Sequence, residues 1–196
     1  MSKSLKNFIT VKEYLKEGSA DEFRMFCLQY KYSANINYSP ERLREARARA
    51  RALRGALARA RGRLGEPAGA QGARRWDAED HELYATLQEA RGRVLRCLAA
   101  DFDTPGALQA LEGLAGRLAA HLTRRDQLKF PIEPAQATLD YLTSTLKSLG
   151  FSAEMCGEAD MSFTEHDNAP QRALAGALVG FRGRVRAAAL AAAGTG

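Results

Sequence analysis

At 196 residues the chain has room for one domain of ordinary size or two small ones. Hydrophobic residues make up 45% and aromatics only 8%, a composition of packed helices rather than sheets. No run reaches the ~18 consecutive apolar residues of a membrane span, and the start is no apolar leader, so a soluble, cytoplasmic chain without a membrane partner is expected.

The net charge of +6 is unevenly placed. Residues 39–75 carry eleven Arg and three Glu, against six basic and four acidic residues over 1–38 and twelve basic and sixteen acidic over 76–196. The basic character is therefore one arginine segment, and guanidinium geometry suits phosphate contact. A solvated helix face would read the same way. Cys27, Cys97 and Cys156 are far apart and never form a CxxC pair. Neither a disulfide framework nor a zinc knuckle is expected from them; small buried hydrophobes are.

In chain order, Phe8-Ile9-Thr10 suits a short strand. Thr10 to Glu13 reads as a capping box opening a helix from Val11 to about Glu17. Gly18 suits its stop, because the left-handed conformation is cheap for glycine. Ser19 to Glu22 is a second capping box, opening a helix to about Tyr30, and residues 35–38 suit a second short strand. Ser39-Pro40 then starts a long helix, with Ser as N-cap and Pro at the first helical position. Its apolar positions, Leu43, Ala46, Ala50, Leu53, Leu57, Ala60 and Leu64, step by three and four along one narrow face. Residues 65–75 are a Gly/Ala-rich flexible linker.

Leu83, Leu87, Ala90, Val94 and Leu98 stripe the next helix, from about Asp77 to Ala100. Asp103-Thr104-Pro105 stops it and opens another, striped by Leu108, Leu111, Ala115, Leu118 and Leu122. Pro134 opens a third, with Ala135, Leu139, Leu142, Leu146 and Leu149 on one face and Gly150 at its end. Residues 151–169 have no periodicity and read as a loop; Pro170 opens a last helix over Leu174, Leu178, Phe181, Val185 and Ala188. One-sided helices of this length must bury their stripes against each other. The fold expected is mainly α: a short mixed segment over residues 1–38, then an antiparallel α-helical bundle over 39–196.

Few residues outside these stripes suggest chemistry. His81, His121 and His166 are scattered, with nothing in the sequence to pair with them as ligand or general base. Asp101 and Asp103 read as helix caps rather than a carboxylate pair. Trp76, after Arg74-Arg75, suits packing at a helix start better than base stacking.

Met1-Ser2-Lys3-Ser4, with Leu5-Lys6-Asn7-Phe8-Ile9-Thr10, resembles the KMSKS signature of class I aminoacyl-tRNA synthetases. The continuation FITVKEYLKEGSADEFRMFCLQYKYSANINYSPERL, residues 8–43, is similar to cysteinyl-tRNA synthetases, the eukaryotic cytosolic branch especially. AADFDTPGALQALEGL (99–114) and ATLDYLTSTLKSLGF (137–151) resemble two later stretches of that family, in the same order. The resemblance implies a signature loop and stem-contact fold over 1–38 and a helical bundle of the anticodon-stem-contact type over 39–196. It implies ATP as substrate, with Lys3, flanked by Ser2 and Ser4, meeting charge that develops at the phosphates in the transition state. It implies tRNA(Cys) as partner, with Arg42, Arg49, Arg74 and Arg75 the expected phosphate contacts. The family's nucleotide-binding domain, with its HIGH-type motif and zinc, precedes the signature loop and has no counterpart in these residues; it is expected as a missing part, in the same or a separate chain. The alternative is a non-catalytic tRNA-binding or helical interaction module derived from the family.

Overall fold

The computed structural model describes residues 10–36, 38–65, 75–124 and 131–158. Two compact units divide the chain, residues 1–159 and 160–196, and the second lies outside the described residues together with the helix expected from Pro170. Among the described residues the first contains six helices: α1 (Val11–Tyr14), α2 (Ala20–Leu28), α3 (Pro40–Gly65), α4 (Ala78–Ala99), α5 (Thr104–Arg124) and α6 (Glu133–Ser148). No strand occurs among the described residues. Residues 35, 36 and 38 are irregular rather than extended, and Phe8 and Ile9 lie outside the described residues.

Local sequence sets the helix starts. Thr10 accepts from the Glu13 amide while Glu13 reaches back to the Thr10 amide, and Ser19 and Glu22 repeat the exchange. These reciprocal bonds satisfy amides that a helix start leaves free. Asp77 and Asp80 form a third such box at α4. α1 is only one turn long, shorter than the sequence suggests, and Gly18 does not take a left-handed conformation. Glycine is needed there for space: a Cβ would lie 2.5 Å from the Tyr14 hydroxyl oxygen.

α5 and α6 lie between α3 and α4; each packs against both, while α3 and α4 do not touch. α4 runs antiparallel to α5, as the Asp80–His121 and Arg93–Gln109 pairs show. α3 runs parallel to α5, with Arg49 at Glu112 and Arg63 at the Leu122 carbonyl. The α3 stripe is buried at Leu43, Ala46, Ala50, Leu53, Leu57 and Ala60. It meets Leu108, Leu111, Leu114 and Leu118 of α5 and Leu139, Leu142 and Leu146 of α6 in one core. Full burial of each Leu favours folding by about 1.5–3 kcal/mol. α2 adds Met25 and Phe26 to the same core.

Residues 151–158 are not the loose loop that their missing period suggests. Phe151, Met155 and Cys156 are buried, and the Cys156 amide bonds back to the Ser152 carbonyl. Ser152 donates to Asp21 of α2, and Gly157 passes the α3 backbone so closely that a Cβ would lie 2.8 Å from the Ala58 nitrogen. Of the cysteines only Cys156 is fully buried, and burial pushes its thiol above the ordinary range; Cys27 is exposed, against expectation.

Between α4 and α5 the chain turns through two left-handed residues, Asp101 (φ 55°) and Phe102 (φ 52°). Neither is glycine, and each such residue costs about 1–2 kcal/mol. Asp103 sits just before α5 with its carboxylate over Gly106, as a cap would, whereas Asp101 instead accepts from the Tyr32 hydroxyl at 2.7 Å.

Candidate functional site

Lys3, Ser2 and Ser4 lie outside the described residues, as does Arg74. What the structure shows is how the segment that follows them is fastened. Tyr14 at the end of α1 is buried, and Arg47 of α3 lies over its ring, 5.7 Å from the centroid. The Arg47 guanidinium also pairs with Glu22 of α2 at 3.2 Å and donates to the Glu17 carbonyl at 3.3 Å. Burial pushes the Tyr14 phenol above its ordinary value, and Arg47 pulls the other way. One arginine thus binds α1, α2 and the turn between them to the long helix.

Arg42 and Arg49 are two turns apart on α3 and have different surroundings. Arg42 is half-buried, with its guanidinium 5.6 Å from the Tyr30 ring centroid. Arg49 forms a two-pronged pair with Glu112 of α5, at 2.9 and 2.6 Å, and these hydrogen bonds push its pKa above the ordinary arginine value. Two-pronged pairing fixes direction as well as charge. Arg75 is exposed at the start of α4, beside Trp76, whose ring meets His81 and Tyr84 at 5.4 and 5.3 Å.

Much of the remaining arginine stripe is also engaged. Arg44 pairs with Glu41, Arg54 with Glu154 and Arg61 with Glu158, while Arg63 donates to the Leu122 carbonyl. Arg51 and Arg59 are exposed on the outer side. A second basic surface went unnoticed in the sequence. Arg93, Arg96 and Arg117 line an open groove of about 780 Å³ between α4 and α5, with Glu89, Gln88 and Gln109. α4 carries Glu79, Asp80, Glu82 and Glu89 ahead of its arginines, so the charge of the whole segment conceals those arginines until the helix faces are known.

His121 corrects another expectation. It is buried beside Asp80, with Nε2 and Oδ1 3.4 Å apart, so it has a partner that its sequence position does not reveal. Asp80 also belongs to the α4 capping box. The pair joins the start of α4 to the last turn of α5, where helix dipoles favour an acid and a base respectively. It lies at a cavity of only about 40 Å³, too small for a substrate. No group of three or more His, Cys, Asp or Glu able to hold a metal occurs among the described residues, so these residues offer zinc no seat.

The family model for the catalytic domain of class I (C) tRNA synthetases matches residues 1–48, ending inside α3. The chain is 30% identical over 95% of its length to a cysteine–tRNA ligase of Thermococcus onnurineus, covering 37% of that protein. It is 28% identical over 98% of its length to a probable mitochondrial cysteine–tRNA ligase of Xenopus tropicalis, covering 33% of it. It is 28% identical over 76% of its length to the cytoplasmic cysteine–tRNA ligase of Homo sapiens, covering 20% of it. The match over the segment that is fastened onto the long arginine helix places the chain among the class I aminoacyl-tRNA synthetases. Within them it belongs to the cysteinyl-tRNA synthetase family. It spans about a third of the length of the first of these relatives. Identity is much the same to the archaeal, mitochondrial and cytoplasmic proteins. No described helix is long and apolar enough to cross a membrane.

Proposed function

We propose that the chain works as part of a cysteine–tRNA ligase that charges tRNA(Cys) with cysteine, using ATP, in the cytoplasm. The observation that supports this most is the relation of 95% of the chain to such a ligase. In this reading residues 1–38 carry the signature loop and stem-contact role, and 39–196 the bundle that supports the tRNA stem. Lys3, flanked by Ser2 and Ser4, supplies positive charge as pyrophosphate leaves. An ammonium that meets charge only in the transition state lowers the barrier without tightening ATP binding. Seating cysteine against the α-phosphate falls to a zinc-bearing nucleotide-binding domain, in the same or a separate chain.

The test is adenylation. The 196-residue chain alone should give no cysteine-dependent exchange of pyrophosphate into ATP, because positioning of the reactants accounts for about 7–11 kcal/mol of the barrier. Joined to the nucleotide-binding domain of a relative, Lys3→Ala should lower the adenylation rate with less effect on ATP affinity. Equal losses in both would overturn the role given to Lys3.

For tRNA the reading gives weak binding through phosphates, by Arg42, Arg49, Arg74 and Arg75 together with exposed Arg51 and Arg59. Affinity should then fall with salt at a log–log slope near −0.9 per phosphate neutralised. Arg49→Glu would also set a carboxylate against Glu112, so Arg51→Glu with Arg59→Glu is the cleaner probe. It should weaken all tRNAs alike, since phosphate contacts carry no base information. The second reading, a non-catalytic interaction module, draws on the engagement of Arg44, Arg49, Arg54 and Arg61 with carboxylates of the chain itself. Unchanged tRNA affinity in the double variant would favour it.

A further inference from the structure

The turn that joins α4 to α5 combines strain with exposure. Asp101 and Phe102 both take left-handed backbone conformations, which side-chain-bearing residues avoid. At Gly150 and Gly157 the same chain meets positive φ with glycine. Nor does burial compensate the strain: Phe102 is 65% exposed. Nearby stands a second unburied aromatic, Tyr32, at 69%. Its hydroxyl donates to the Asp101 carboxylate at 2.7 Å, tethering the residue just before Phe102. The turn is fixed from both sides. Asp103 N donates to the Cys97 carbonyl at 2.9 Å, and the Thr104 hydroxyl donates to the Tyr30 carbonyl at 3.3 Å.

Two aromatic side chains are thus held in solvent at one end of the bundle, on a backbone that strain and three hydrogen bonds define. Lys31 is exposed beside Tyr32, and Arg42 lies one ring inward, over Tyr30. We infer that Tyr32 and Phe102 form a stacking surface for an unpaired base of the bound RNA, with Lys31 facing its phosphate. The inference rests on the reading of the chain as a tRNA-binding part of a ligase. Stacking on an aromatic face beside a cation is how unpaired bases are held, whatever their identity. A protein partner fits less well. Two rings separated by a carboxylate and bordered by lysine do not make the continuous apolar centre that such interfaces have.

Phe102→Gly separates this role from a structural one. Glycine relieves the left-handed strain, so the variant should melt no lower than the parent chain. It should nonetheless bind a tRNA(Cys) transcript about five- to a hundred-fold more weakly, the range that loss of one stacked base gives. The salt slope should be unchanged, because no phosphate contact is removed. Affinity for a fully paired RNA duplex should not move. Phe102→Asn, which also tolerates the left-handed region, should behave like Phe102→Gly, and Phe102→Tyr should restore binding. Equal affinity of parent and Phe102→Gly for tRNA overturns this inference alone. Failure of the parent chain to bind tRNA more tightly than heparin overturns it together with the reading it rests on. A change in oligomeric state on Phe102→Gly, with tRNA affinity intact, identifies the surface as a contact between chains and overturns the stacking role.

Discussion

α3 and α5 run parallel in one core, yet they hold their places by different means. α5 buries Ala107, Leu108, Ala110, Leu111, Leu114, Ala115, Leu118, His121 and Leu122, a broad face that takes up nearly half of its circumference. It has neighbours in α2, α3, α4 and α6. α3 is longer but buries only a narrow stripe, half of it Leu and half Ala. Beyond that stripe it reaches its surroundings with guanidinium groups, to Glu22, Glu112, Glu154, Glu158 and the Leu122 carbonyl. Half-exposed ion pairs contribute little, about 0–1 kcal/mol each. They fix direction and register more than stability. A helix that is central by packing thus stands beside one that is held at the edge by a stripe and aimed by charge.

Four substitutions, read by urea denaturation, would break or sharpen this contrast. Leu111→Ala in the centre of α5, where the side chain has no exposure, should cost about 2–5 kcal/mol through lost burial and the cavity left behind. Asp80→Ala should come next, at about 1–3 kcal/mol, because it removes a cap and strips buried His121 of a partner. Arg49→Ala removes the best-formed link between the two helices and should cost about 1 kcal/mol. If it matched Leu111→Ala, charge would be holding α3 as firmly as packing holds α5, and the contrast would fail. Arg44→Ala, whose pair with Glu41 is 70% and 68% exposed within α3 itself, should change stability by less than about 0.5 kcal/mol. A larger loss would mean that the outer face of α3 is covered rather than solvated.

The helices were legible because their signals are local. The α3 stripe is buried residue for residue from Leu43 to Ala60, as steps of three and four require. Both early capping boxes form where Thr or Ser precedes Glu by three positions. Gly150 does take positive φ, at +88°, just beyond α6. The failures have equally particular causes. Residues 35, 36 and 38 find no strand partner among the described residues, and an unpaired strand has no ladder to stabilise it. Phe151, Met155 and Cys156 pack without any period because a tight turn, not a helix or strand, presents them.

Of the proposed site, the sequence supplied the arginines and the family but not their partners. Lys3, Ser2, Ser4 and Arg74 fall outside the described residues and remain as the sequence offered them. That Arg49 meets Glu112, that Arg47 gathers α1 and α2, and that His121 meets Asp80 depend on residues far apart in the chain. So does the meeting of Tyr32 with Asp101 beside exposed Phe102. The sequence by itself determined the helix faces, their starts and the concentration of positive charge, because side-chain periodicity and capping act within one or two turns. Only the tertiary structure decided which cations are paired inside the molecule and which aromatics stand in solvent, because charge pairing and exposure depend on distances that packing alone sets.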